Sequence, residues 1–301
     1  MRIAGHTLGT PDQTVPEALD LFAAAGLDAA ELIYQDDYRS GLPLGDRRAA
    51  DAARRAAEGA GVPIVGLTPY TTAINSLDEG EWRAGVDEFR GAIEIAHLVG
   101  ADRVRVYAGS WRPDSQDHEA HWSRLVAALS ALAPEASQAG VVLCVENHFG
   151  TMTQSAAETA RLVREIDSAA VRVLYDQANL TFTHDEPHEQ ALRIQGDLVG
   201  HVHVKDLVFT DPDAPFQAAE TARVAASERA VRSRVVGDGV VPWGAIVASL
   251  SALGYDDVLT LEYEYRWHPQ DLPEPAVGFA RSAAALRALL DSRPTAAGSA
   301  R

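Results

Sequence analysis

Cysteine is almost missing from this 301-residue chain: the single Cys144 excludes an internal disulfide, and its place among Val and Leu reads as a small buried hydrophobe rather than a nucleophile. A reducing compartment is expected. Cations are scarce as well, with 26 Lys and Arg against 43 Asp and Glu, and a formal charge of -17 repels phosphate backbones and anionic lipid. Neither nucleic acid nor a membrane surface is therefore an expected partner. No apolar segment approaches the roughly 20 residues of a membrane span, and the N-terminal MRIAGHTLGT lacks the basic-then-apolar pattern of a secretory signal. The expected location is cytoplasmic. No GxGxxG follows the first β-rich run, which argues against an open dinucleotide-binding sheet.

What the chain does contain is alternation. Short runs rich in β-branched residues, at 2–8, 27–34, 62–68, 102–109, 141–147, 171–176, 199–206 and 258–265, are separated by Ala-rich amphipathic segments, several ending near Gly. Eight strand-helix units in about 290 residues predict a closed parallel (β/α)8 barrel of the α/β class. The expected organisation is one barrel domain over 1–291, a lid-like helical insertion at about 207–236 after strand 7, and a disordered tail at 292–301.

In such a barrel the chemistry lies at the C-terminal ends of the strands. Strand 5 ends in Glu146, strand 6 in Asp176, strand 7 carries His203 and strand 8 carries Glu262. Three carboxylates and an imidazole converging on one rim suit a divalent ion such as Mn2+, Mg2+, Co2+ or Zn2+, and would repel one another strongly without a cation. Residues two apart on a strand share a face, so His201, His203 and Lys205 go together, as do Glu146 with His148 and Glu262 with Glu264. Lys205, nearest the rim of its set, is a substrate contact. His201 reads as a packed strand residue and Glu264 as a salt-bridged rim residue. Glu31 and Arg105 read as a charge pair inside the barrel. His6, ending strand 1, is a candidate for the pocket floor. Tyr70, Tyr107, Trp111, Tyr265 and Trp267 near the rim are candidates to stack on a ring.

The motifs VENH, LYDQAN, HVHVKD and TLEYEY, in that order, with the later GDGVVPW, resemble the xylose isomerase-like barrels, also called the sugar phosphate isomerase/epimerase or AP endonuclease family 2 superfamily. The resemblance covers nearly the whole chain. It implies that Glu146, Asp176, His203 and Glu262 bind one divalent ion, with Mn2+ the first choice. It also implies a metal-dependent sugar isomerase or epimerase, in which Glu146 and Glu262 move a proton next to a carbonyl through an enediolate. The family's ketose epimerases place a substrate-binding His where this chain has Asn179. Their substrate-gripping Arg before the PW turn is matched nearest by Arg234 or Arg232.

His148 supports an alternative, a lyase or dehydratase acting on a 3-oxo sugar with His148 as base, similar to the large subunit of a C-glycoside deglycosidase and its small partner subunit. The competing role for His148 is a hydrogen bond to a carboxylate beside the metal. A DNA-repair role would require three zinc ions and a basic face, and a non-catalytic sugar-binding barrel would require a closed structural metal. The expected partner is a small carbohydrate, and a homo-oligomer is expected from the family resemblance.

Overall fold

The computed structural model describes residues 1–111, 116–183, 186–211 and 229–292. Eight parallel strands close into a barrel: β1 (Arg2–His6), β2 (Ala29–Tyr34), β3 (Ile64–Pro69), β4 (Arg103–Val106), β5 (Val142–Glu146), β6 (Val171–Asp176), β7 (Val199–Val204) and, as the eighth, β10 (Val258–Leu261). Each strand pairs with its sequence neighbour in the barrel, and β1 closes on β10 from Arg2 opposite Val258 to Gly5 opposite Leu261. The helices α1 (Val15–Ala24), α2 (Arg47–Ala60), α3 (Glu79–Val99), α4 (His118–Ala139), α5 (Ala156–Ile166), α6 (Gln177–Thr183), α7 (His188–Gln195), α8 (Trp243–Ala252) and α9 (Pro275–Asp291) accompany them.

Local sequence explains where the long helices begin and end. The Asp46 carboxylate caps α2 by accepting from the amides of Arg48 and Ala49, and a reciprocal Ser155–Glu158 box opens α5. Helices α2, α3 and α4 stop at Gly61, Gly100 and Gly140, all in the left-handed region. Strands β2 and β3 are buried at every position because one face looks into the barrel and the other lies under helices. Several strands are shorter than the sequence pattern implies, and two of them end at the candidate site. β7 ends at Val204, and β10 ends at Leu261, leaving Glu262 just beyond its strand. The Glu262 amide still donates to the Val204 carbonyl at 3.0 Å, so the side chain keeps its strand-end position.

The insertion differs from a simple helical lid where it joins the barrel. β8 (Asp206–Phe209) and β9 (Val231–Arg234) form a two-stranded antiparallel ribbon, with Asp206 opposite Arg234. Val208, Phe209 and Val231 give these arms strand-forming character. The Ala-rich stretch carrying the helical expectation, 212–228, lies outside the described residues, as does the tail from 293. The buried Asp206 carboxylate anchors the ribbon to the GDGVVPW turn by accepting from the amides of Leu207, Gly237, Gly239 and Val241. Gly239 is required there, because a Cβ would lie 2.0 Å from Asp206 Oδ1.

The barrel interior is unusually polar. Glu31, Arg105, His201, His203 and Thr260 are buried within it, whereas apolar side chains fill most barrels of this kind. Among the described residues, no helix is long and apolar enough to cross a membrane.

Candidate active site

Glu146, Asp176, His203 and Glu262 come together at the strand ends, each offering one ligand atom, and these atoms all lie within 4.8 Å of one another. All four residues are buried. Buried Glu146 Oε2 and His203 Nδ1 have no hydrogen-bond partner, and Asp176 Oδ2 has only an ion-pair contact with Lys205 at 3.0 Å without hydrogen-bond geometry, a state that buried polar atoms normally avoid. Three oxygens and one nitrogen with donor atoms left over fit a hard-to-borderline divalent cation. The sequence VENH divides its work around this point. Glu146 enters the cluster, while Asn147 donates to the Asp176 carbonyl at 2.7 Å and so ties β5 to β6.

Two cations attend the carboxylates. Lys205 Nζ lies 2.7 Å from Glu262 Oε2, 3.0 Å from Asp176 Oδ2 and 3.6 Å from Glu264 Oε1. Arg105 Nη1 lies 3.5 Å from Glu146 Oε2 and 3.7 Å from Glu262 Oε1. The Arg105 guanidinium lies against the rings of both Tyr70 and Tyr107, 4.3 and 4.1 Å from their centroids, and the two tilted rings meet at a corner around it with centroids 5.7 Å apart. Arg105 therefore pairs with these two glutamates and not with Glu31, whose partners are His201 and His203.

Burial pushes the Asp176 carboxyl up to about 7; Lys205 opposes the rise, and the neighbouring Glu262 and Glu146 add to it. Burial also acts against ionised Glu262, but Lys205 and His203 outweigh it and hold that carboxyl well below the usual range. Desolvation would lower the His203 imidazole, yet Glu31 and Glu262 carry it well above its ordinary value. The same contest raises Lys205, where burial loses to Asp176 and Glu262. The site is thus electrostatically loaded towards binding positive charge.

Above the cluster opens a cavity of about 430 Å³, lined in part by Tyr70, Tyr107, His148, Lys205, Glu262 and Trp267. Trp111 and Tyr265 belong elsewhere: Trp111 packs against His118, and Tyr265 stacks on Tyr263 and donates to Glu274. His148 Nδ1 lies 2.7 Å from the Phe149 carbonyl, which can only accept, so Nδ1 carries the proton. Nε2 lies 3.2 Å from the Tyr107 hydroxyl and accepts from it in the neutral ring. Burial holds the imidazole below its ordinary range, with Glu146 opposing. Neither of these two ring hydrogen bonds involves a carboxylate.

The other sequence candidates divide. Lys205 reaches both cluster and cavity. Asn179 instead braces the cluster: its amide donates to Asp176 Oδ1 at 2.9 Å and its Nδ2 to Glu146 Oε1 at 3.2 Å. His6 has both ring nitrogens engaged, with Leu8 N and Thr68 Oγ1, and sits edge-on to His203 rather than among the described residues that line the cavity. Arg234 donates to the Ser233 carbonyl at the ribbon, and Arg232 lies 3.4 Å from Asp271. Among the described residues, the arginine in the cavity wall is Arg229, held 2.6 Å from Asp271. Sequence reasoning missed Arg229 because it lies far from the PW turn and only the ribbon pairing carries it back to the rim. Glu264 lines the cavity, accepting from Ser233 and facing Lys205.

Comparison with known proteins agrees with this architecture. The inosose dehydratase of Geobacillus thermodenitrificans is 30% identical over 146 residues, 48% of this chain and 48% of that protein. The chain thus matches about half the length of that curated relative. A 3-keto-D-glucoside 4-epimerase from E. coli superimposes with a TM-score of 0.72 at 18% identity, covering 96% of this chain and 99% of the other. D-psicose 3-epimerase from Clostridium cellulolyticum H10 gives 0.74 at 17% identity, covering 98% and 100%. At such identities the likeness is one of fold. The family model for the xylose isomerase-like TIM barrel matches residues 19–289, and the chain belongs to that family.

Proposed function

We propose that this protein is a divalent-metal-dependent enzyme that isomerises or epimerises a sugar by moving a proton next to a carbonyl. The observation that carries this reading is the buried convergence of Glu146, Asp176, His203 and Glu262 beneath a cavity with aromatic walls. A divalent ion held by these four residues, with Mn2+ the first choice, would polarise a substrate carbonyl and acidify the adjacent C–H bond.

The chain's own groups then divide the remaining work. Glu262, in the cavity wall, is placed to take or return the proton, and Glu146 approaches from a different strand as its counterpart. Lys205 orients Glu262 through their 2.7 Å contact and offers its other protons to a substrate oxygen. Tyr70, Tyr107 and Trp267 supply flat surfaces for a sugar ring and exclude water from it.

A second reading, dehydration of an oxidised sugar or polyol, is favoured by one specific feature. His148 lines the cavity with Nε2 as an acceptor from the Tyr107 hydroxyl, a pair that would act as base once a substrate hydroxyl or C–H displaces that contact, and inosose dehydratases are among the relatives matched across about half the chain.

One experiment tests both. Mn2+-loaded protein is incubated with ketopentoses, ketohexoses and inososes in heavy water and followed by NMR. Deuterium entering next to the carbonyl with the substrate skeleton intact supports the first reading, and loss of water supports the second. Absence of both with every substrate, using protein that binds one ion per chain, would leave the cluster without the proposed chemistry.

A further inference from the structure

Glu31 lies in the middle of β2, buried inside the barrel. Its Oε2 is 2.9 Å from His201 Nε2 and 3.2 Å from His203 Nε2. An ionised carboxylate only accepts, so both rings must carry their protons on Nε2 to satisfy it. For His201 an independent contact requires the same arrangement. Its Nδ1 is 3.2 Å from Arg103 Nη1, and a guanidinium only donates, so Nδ1 bears the lone pair. Arg103 is itself held by Asp257 at 2.9 Å and by Asp102 at 2.7 Å. A chain of contacts therefore runs from Asp257 through Arg103, His201 and Glu31 to His203, and the donor or acceptor nature of each group fixes its neighbour.

At His203 the chain leaves one nitrogen to face the cluster. With Nε2 committed to Glu31, Nδ1 remains, and it is the buried nitrogen that has no hydrogen-bond partner. It lies 3.5 Å from Glu262 Oε1 and 3.7 Å from Glu146 Oε1. Glu31, His201 and His203 are themselves close enough to hold an ion. The directions of their hydrogen bonds argue against that use, because both Nε2 atoms present protons to the shared oxygen.

We propose that Glu31 is a positioning residue for the metal centre: by accepting from His203 Nε2 it fixes the ring so that Nδ1 is the metal ligand, and the Asp257–Arg103–His201 segment fixes Glu31. This inference rests on reading the four-residue cluster as a metal site. Carboxylates that orient ligating imidazoles commonly change metal affinity by 10- to 100-fold when replaced.

The test uses the whole chain and Zn2+ as the probe. Both imidazoles donate to the single oxygen Oε2, so Glu31→Leu, which leaves no acceptor for either Nε2–H, is the variant that removes the contact. Calorimetry should find one Zn2+ per wild-type chain and 10- to 100-fold weaker binding in the variant, with circular dichroism confirming the variant's fold. Independently of any variant, long-range 1H–15N spectra of Zn2+-loaded wild type should show His203 metal-bound at Nδ1 and protonated at Nε2. Coordination through Nε2, unchanged affinity in folded Glu31→Leu, or a second ion lost on that substitution would each overturn the role of Glu31 while leaving the four-residue site standing. Failure of the wild type to bind Zn2+ or Mn2+ would overturn the metal reading and this inference with it.

Discussion

The Tyr107 hydroxyl lies 3.2 Å from Nε2 of His148, whose other ring nitrogen is tied to the Phe149 carbonyl. This relationship fixes the His148 lone pair on Nε2 and points it at the Tyr107 hydroxyl, another residue of the cavity wall. If the enzyme eliminates water, His148→Ala should lower turnover by roughly 10²- to 10⁴-fold, the usual contribution of a positioned base, with one ion per chain still bound. Steady-state rates and metal analysis on the same preparation check this. Unchanged turnover would remove His148 from the chemistry and leave the glutamates to carry it.

Asp176 should show the tension between stability and metal binding. Its carboxyl is raised from 3.8 to about 7 in the fold, so the folded state binds the proton more tightly than the unfolded one. Its contribution is therefore fully present below about 4 and is lost as pH rises through about 7. Asp176→Asn should abolish stoichiometric metal binding. It should also leave the metal-free protein more stable at pH 8 by about 1–2 kcal/mol, as often happens when functional strain is relieved. Denaturant unfolding of both proteins in the presence of chelator measures it, and a less stable Asn variant would contradict the charge argument.

Arg105 is the fixed cation beside Glu146 and Glu262. Arg105→Met should destabilise the metal-free protein by about 3–5 kcal/mol, the usual consequence of leaving a buried charge without its partner. Added Mn2+ should recover part of that loss by supplying positive charge to the same carboxylates. Unfolding midpoints with and without Mn2+ test the claim, and an identical deficit in both would assign Arg105 to packing alone.

His6 predicts an acid limb. Burial holds its imidazole at about 4 against an ordinary 6.5, so the unfolded chain takes up a proton that the folded chain refuses. The stabilisation is present above pH 6.5 and declines as pH falls towards 4, amounting to about 3 kcal/mol in full. Thermal melts across that range should fall more steeply for wild type than for His6→Asn. Parallel curves would show that other groups govern the acid transition.

Much of the fold was legible because it is written in local chemistry. Alternating β-branched runs and capped Ala-rich helices recur eight times, and burial on both faces gives VLCVE and VRVLYD their apolar character. The positions of Glu146, Asp176, His203 and Glu262 at strand ends are likewise properties of single segments. The insertion is less legible because its ends pair with each other across more than twenty residues, and local propensity does not encode that pairing.

The side-chain partnerships required the closed barrel. Sequence periodicity places Glu31 and Arg105 on buried strands, but closure selects their partners: β2 lies across the interior from β7, so Glu31 meets His201 and His203 while Arg105 meets Glu146 and Glu262. The same closure turns Asn179 towards Glu146, and the ribbon brings Arg229 to the cavity wall. Strand identity and the inward or outward sense of each side chain follow from a period of two along one segment. The choice of partner across the barrel depends on stagger and curvature, which are collective properties of eight strands and belong to none of them singly.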